Sequence, residues 1–137
     1  MSDGKIFLDT NVLVYLYSDS EPEKQKTAYE QIEKDIRYIS TQVLTEFCNI
    51  CIKKLKMSIT DIDIALTALM DICELVEVDD ATLRQALLIH NKLNYTFYDS
   101  VVIYSALASG CDYLYTEDMQ DGQVIENRLV IKNIFKQ

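Results

Sequence analysis

The sequence predicts an α/β protein with a parallel sheet and helices on both faces. Short apolar runs, too brief for helices, alternate along the chain with longer stretches whose apolar residues recur at helical spacing. Only three Gly and one Pro occur, which argues against a turn-rich all-β sandwich. A length of 137 residues makes one domain, 1–137, the natural expectation, with enough chain for a substantial core.

Ile6-Phe7-Leu8 is the first strand, its unbroken apolar character fitting burial on both faces. Asp9 ends it, Thr10 and Asn11 are N-cap types, and a short helix runs from Val12 to Tyr17. Asp9 thus falls at the carboxyl end of a central strand, where open α/β sheets form their ligand crevice. An acid there either meets a cation or a donor in a cleft, or simply caps the next helix. Pro22 fits the first turn of a second, mostly polar helix that extends to about Asp35, with Ala28, Tyr29, Ile32 and Ile36 turned inward.

Arg37-Tyr38-Ile39-Ser40 is the second strand. Thr41 then opens a helix with Val43, Leu44, Phe47, Cys48, Cys51, Ile52 and Leu55 along an apolar face. Glu46 interrupts that face beside Val43, Phe47 and Ile50. The helix ends in Lys53-Lys54-Leu55-Lys56, where cations suit the C-terminal dipole. Thr60-Asp61-Ile62-Asp63 resembles a capping box and starts a helix to Met70. Cys73 to Val78 alternates as a third strand. Asp79 or Asp80 caps a helix to about Leu93. Tyr95, Phe97 and Tyr98 precede Asp99 and Ser100, and Val102, Ile103, Ala106 and Leu107 mark a helix that Gly110 closes. Residues 112–116 form a fourth strand, 117–122 an acidic turn, and Leu129-Val130-Ile131 a last strand that Asn133-Ile134-Phe135 extends.

Composition excludes several classes. No apolar run approaches the roughly 20 residues of a membrane span, and the N-terminus lacks a signal-peptide pattern, so a cytoplasmic protein is expected. Cys48 and Cys51 form a C-x-x-C, but it lies within a helical apolar series and no second pair completes a zinc site. Reduced core cysteines are the reading. His90 is the only histidine, which removes sites built on several. A net charge of −9 disfavours a broad nucleic-acid footprint, leaving room only for a focused site.

Four acids stand out by position. Asp9 ends one strand and Asp118 follows another. Glu46 breaks an apolar helix face, and Asp99 lies near the start of the helix after the aromatic cluster. Strand ends and the helix starts that follow them gather at one edge of a parallel sheet, so the four can converge. Clustered carboxylates repel one another unless a cation joins them. Oxygen ligands without His or Cys suit Mg²⁺ or Mn²⁺, cations that acidify water and neutralise phosphate charge. Thr10, Asn11, Ser100 and Thr116 supply neutral hydrogen-bonding groups beside these acids. Against this stand ordinary roles: surface solvation among 22 acids, a helix cap at Asp99, a turn at Asp118.

The segments LDTNV (8–12), STQVLTEF (40–47), YDSVVIYSALASGCDYLYTEDM (98–119) and the following QDG strongly resemble the PIN-domain family, most of all its VapC-type toxins. The likeness covers nearly the whole chain in order. It implies a three-layer α/β/α sandwich with a central parallel sheet and a metal-dependent endoribonuclease. It carries over Asp9, Glu46, Asp99 and Asp118 as the catalytic, Mg²⁺- or Mn²⁺-binding acids, with Thr10, Asn11 and Thr116 in support and Asp121 as a possible fifth acid. It further implies an RNA substrate, a cognate antitoxin and a homodimer. Candidate RNA contacts are Lys53, Lys54 and Lys56, then Arg84, Lys92 or Arg128, with Tyr95, Phe97 and Tyr98 able either to stack bases or to anchor the helix start.

Two other classes compete. A phosphotransfer protein would carry a phosphorylated strand-end aspartate, but the dehalogenase-type enzymes want an Asp two places later, where Asn11 stands. A non-catalytic or RNA-processing PIN-domain binding module would keep the acids for contact with a basic partner.

Overall fold

The computed structural model describes residues 4–136. Its elements are β1 (Lys5–Leu8), α1 (Thr10–Tyr17), α2 (Pro22–Ile32), β2 (Ile36–Ser40), α3 (Thr41–Lys53), α4 (Ile59–Ile72), β3 (Glu74–Val76), α5 (Asp80–Leu93), α6 (Phe97–Ala108), β4 (Tyr113–Tyr115), β5 (Val124–Ile125) and β6 (Leu129–Lys132). The sheet order is β3-β2-β1-β4-β6-β5. Every pairing is parallel except β5 with β6.

This order divides the helices between the two faces. The chain steps from β1 to β2 to β3 in one direction, then returns across the sheet to β4. Right-handed crossovers therefore place α1–α4 on one face and α5–α6 on the other. The packing agrees: α1 meets α2 and α3, α3 meets α4, and α5 lies along α6. The result is the α/β/α sandwich the sequence implied, with the buried side chains of Phe7, Leu8, Leu13, Phe47, Ile103 and Leu114 at its centre. None of the described helices is long and apolar enough to cross a membrane.

Helix ends follow local chemistry closely. Ser40, Asp79 and Thr96 cap α3, α5 and α6, each accepting a backbone N–H with its side chain. Gly110, at φ +73°, ends α6 in a Schellman turn, with Gly110 N–H donating to Leu107 O and Cys111 N–H to Ala106 O. The four cysteines are free, and burial pushes the Cys73 thiol up to about 11 and that of Cys111 to about 12.

Five expectations need correction. The first helix begins at Thr10 rather than Val12, and Asp9 caps it, the second of the two roles its position allowed, in place of Thr10 or Asn11. Ser58, not Thr60, caps α4, accepting from Asp61 N–H. The second helix stops at Ile32, and Tyr29 and Ile36, together with Ile52 of α3, are exposed rather than turned inward. Asn133–Phe135 leave the strand in a turn, with Phe135 N–H donating to Asn133 Oδ1. The sheet is not wholly parallel, because the two-residue strand β5 folds back on β6 through Glu126 and Asn127, both at positive φ.

Phe47 is fully buried and meets the Tyr17 ring edge-on at 5.6 Å, joining α3 to α1. Phe47→Ala should cost roughly 3–5 kcal/mol of stability, read as a lower urea midpoint with an unchanged slope.

Candidate functional site

The topology places a crevice beside Asp9. From β1 the chain proceeds to β2 on one side, while β4 joins β1 on the other, so the switch point lies between β1 and β4. Leu8 is in register with Tyr115, and Asp9 N–H donates to Tyr115 O at 3.1 Å. The residues after these two strands, Asp9 and Thr116, therefore face each other. Thr116 Oγ1 donates to Asp9 Oδ2 at 2.8 Å, and Thr10 N–H donates to Asp9 Oδ1 at 2.8 Å. Asp9 is both the helix cap and a wall of the cleft.

Thr116 is a buried hub. Besides donating to Asp9, its oxygen accepts from Asn11 Nδ2 at 3.3 Å and from Asp118 N–H at 3.2 Å. Asn11 Nδ2 also donates to Asp118 Oδ2 at 3.0 Å, and Asn11 Oδ1 accepts Glu117 N–H at 3.2 Å. The first turn of α1 thus sets the loop that carries Asp118. Opposite, Glu46 accepts from Thr10 Oγ1 and from Gln42 Nε2, each at 3.3 Å. Gln42 Nε2 also donates to Tyr98 O at 3.1 Å, tying α3 to the start of α6 where Asp99 sits.

Asp9, Glu46, Asp99 and Asp118 line one cavity of about 160 Å³, together with Thr10, Asn11, Gln42 and Tyr98. Burial pushes the Asp9 carboxyl up to about 6; its bonds from Thr116 and Thr10 act against this, and the charges of Asp99 and Glu46 add to it. Asp99 is raised in the same way, by burial and then by Asp118, against a hydrogen bond from Thr96. The donor set is four hard carboxylates under mutual repulsion, which fits Mg²⁺ or Mn²⁺ in chemistry. Among the described residues, no group of three or more His, Cys, Asp or Glu side chains is clustered tightly enough to hold a metal ion as it stands.

Other candidates lie elsewhere. Ser100 is buried and donates to Thr96 O within its own helix, outside the residues that line the cleft. Asp121 accepts Asn133 N–H at 2.8 Å and lies 3.8 Å from Lys136, so it braces the C-terminal turn. Lys54 lines an adjoining groove; neither Lys53 nor Lys56 lines it or the cleft. Lys92 pairs with Glu126, Arg128 donates to Leu107 O, and Arg84 lines neither cavity. Tyr95 bonds Gln123 through its hydroxyl and Phe97 packs edge-on against Tyr98, which is 71% exposed at the cleft. Of the three aromatics, only Tyr98 faces the cleft.

Two contributors escaped the sequence reading. Gln42 stands four residues before Glu46, a helical neighbour spacing that would have found it. Lys24 of α2 pairs with Glu117, which also accepts from Tyr15 at 2.7 Å. Burial alone would raise the Glu117 carboxyl, but these two donors outweigh it and hold it below the usual range. No local pattern announces that contact, because it spans residues 24 and 117.

A model of the PIN domain matches residues 6–120, and the chain belongs to the PIN domain family. No curated protein matches it. Similar solved structures include a toxin–antitoxin complex from Klebsiella pneumoniae, at 13% identity and a TM-score of 0.72, covering 96% of this chain and 99% of that one. VapBC2 from Rickettsia felis, solved on a DNA fragment from its promoter, is 18% identical with a TM-score of 0.67, covering 94% of this chain and 98% of that one. VapC20 of Mycobacterium tuberculosis, described as a sarcin-ricin loop cleaving toxin, is 18% identical with a TM-score of 0.63, covering 82% of this chain and 91% of that one. At these identities the likeness concerns the fold.

An Asp9 carboxyl that ionises near pH 6 binds its proton more tightly folded than unfolded. Its contribution to stability is full below about pH 4 and is lost as pH rises through about 6. In metal-free protein, Asp9→Asn should therefore raise stability at pH 8 by up to about 3 kcal/mol. It should change little at pH 4, as paired denaturant titrations would read.

Proposed function

We propose that this chain is a Mg²⁺- or Mn²⁺-dependent endoribonuclease, the toxin of a toxin–antitoxin pair. The observation that carries the reading is the cleft at the sheet's switch point, lined by Asp9, Glu46, Asp99 and Asp118. These four residues would hold the cation, which when bound supplies acidified water and neutralises charge on the scissile phosphate. Thr116 and Thr10 orient Asp9, Asn11 orients Asp118, and Gln42 orients Glu46. Hydrogen-bond partners of this kind fix the orientation of metal-binding carboxylates. Tyr98, exposed at the mouth, offers a ring face to a base.

The antitoxin reading draws support from neighbours solved as toxin–antitoxin complexes. A basic segment of such a partner would complement the acidic cleft, and the homodimer and the cytoplasmic setting belong to the same proposal. A −9 chain needs its cations and its metal close to the cut to hold RNA, which favours a focused site over a broad surface.

The test is cleavage of a labelled total-RNA pool by purified, partner-free protein with Mg²⁺, with Mn²⁺ and with EDTA. Cuts should appear with either cation, vanish in EDTA, and fall at least about 100-fold in Asp9→Asn, since loss of a ligand should exceed loss of its supporting residue. Either cation should also raise the melting temperature of wild type more than that of the variant. A folded protein that neither cuts RNA nor responds to the cations would favour the non-catalytic binding module.

A further inference from the structure

The acidic cleft, at about 160 Å³, is smaller than a typical small-molecule site. A second cavity of about 530 Å³ adjoins it, and the two share Asn11, Ile50 and Asp118 among their lining residues. That volume lies within the range of roughly 300–1,000 Å³ typical of small-molecule sites. Val14, Tyr15, Ile50 and Leu55 give the groove apolar sides, and Ser18 and Ser20 give it hydroxyls. Lys54, exposed at the end of α3, is a lining cation that makes no ion pair among the described residues. Glu21, Glu117 and Asp118 also line the groove, and of these Glu117 has its charge matched by Lys24.

We infer that this groove is a nucleotide subsite of the proposed ribonuclease. The nucleoside joined to the scissile phosphate lies against the apolar sides, and Lys54 contacts the phosphate next along a single strand. A single strand fits because a lone base must leave its stack to enter such a groove. The inference rests on the ribonuclease reading. It assigns one of three neighbouring lysines a role that Lys53 and Lys56 do not share, because neither lines the groove.

The test uses the full chain carrying Asp9→Asn, so that RNA is bound and not cut. Affinity for a fluorescent, random-sequence single-stranded RNA is measured across a salt series, with Lys54→Met or Lys53→Met added. Lys54→Met should weaken binding several-fold and reduce the slope of log affinity against log salt by about 0.7, the share of one phosphate contact on a single strand. Lys53→Met should leave the slope unchanged. Equal slopes in both variants, with wild type still cutting RNA, would overturn the subsite and leave the ribonuclease reading standing. So would Lys54→Met weakening the hold on a co-expressed protein partner and not on RNA. Wild type that neither binds nor cuts RNA would remove both.

Discussion

The placement of one carboxylate organises this structure. Asp9 must leave β1 at the point where the sheet changes direction, close its own helix and accept the Thr116 hydroxyl, all while nearly excluded from water. A buried acid with only two neutral donors is poorly compensated, and its raised ionisation point of about 6 expresses that deficit. The surrounding architecture can be understood as what keeps it there. The register of β1 with β4 sets the distance to Thr116, and the short helix α1 supplies the capping N–H.

Around that acid, neutral groups do the positioning. Thr116 serves Asp9, Asn11 and the Asp118 backbone at once, so a single oxygen ties the first turn of α1 to the loop after β4. Neutral donors can hold carboxylates in place without neutralising them, which leaves their charge available to a cation. Lys24 of α2, the cation that reaches this loop beside Asp118, is spent on Glu117, an acid outside the four. Charge pairing and charge concentration are therefore separated by a single residue, Glu117 against Asp118.

Much of the fold was legible because local rules applied without conflict. Short apolar runs became β1, β2, β4 and β6, and helical spacing became α1 to α6, with Gly110 ending α6 as its chemistry requires. The misses have local causes as well. Strand β5 has only two residues, too few to show alternation, and exists because Glu126 and Asn127 adopt left-handed conformations that turn it onto β6. Ser58 and Thr60 are both plausible caps, and only the hydrogen bond to Asp61 N–H chooses between them. Among the candidate site residues, Ser100 and Asp121 had the right chemistry but were turned to other partners, Thr96 and Asn133.

By itself the sequence determined the α/β class, the alternation of its elements and the four acids worth watching. Each follows from residue type and spacing, which act within one turn of helix or a few residues of strand. Only the tertiary structure decided that Asp9 and Thr116 share a hydrogen bond, that Gln42 and Lys24 join the support, and that Lys54 rather than Lys53 or Lys56 lines the groove beside the cleft. Those facts join residues as far apart as 9 and 116, or 24 and 117. Their meeting depends on strand order and crossover handedness, which no local pattern encodes.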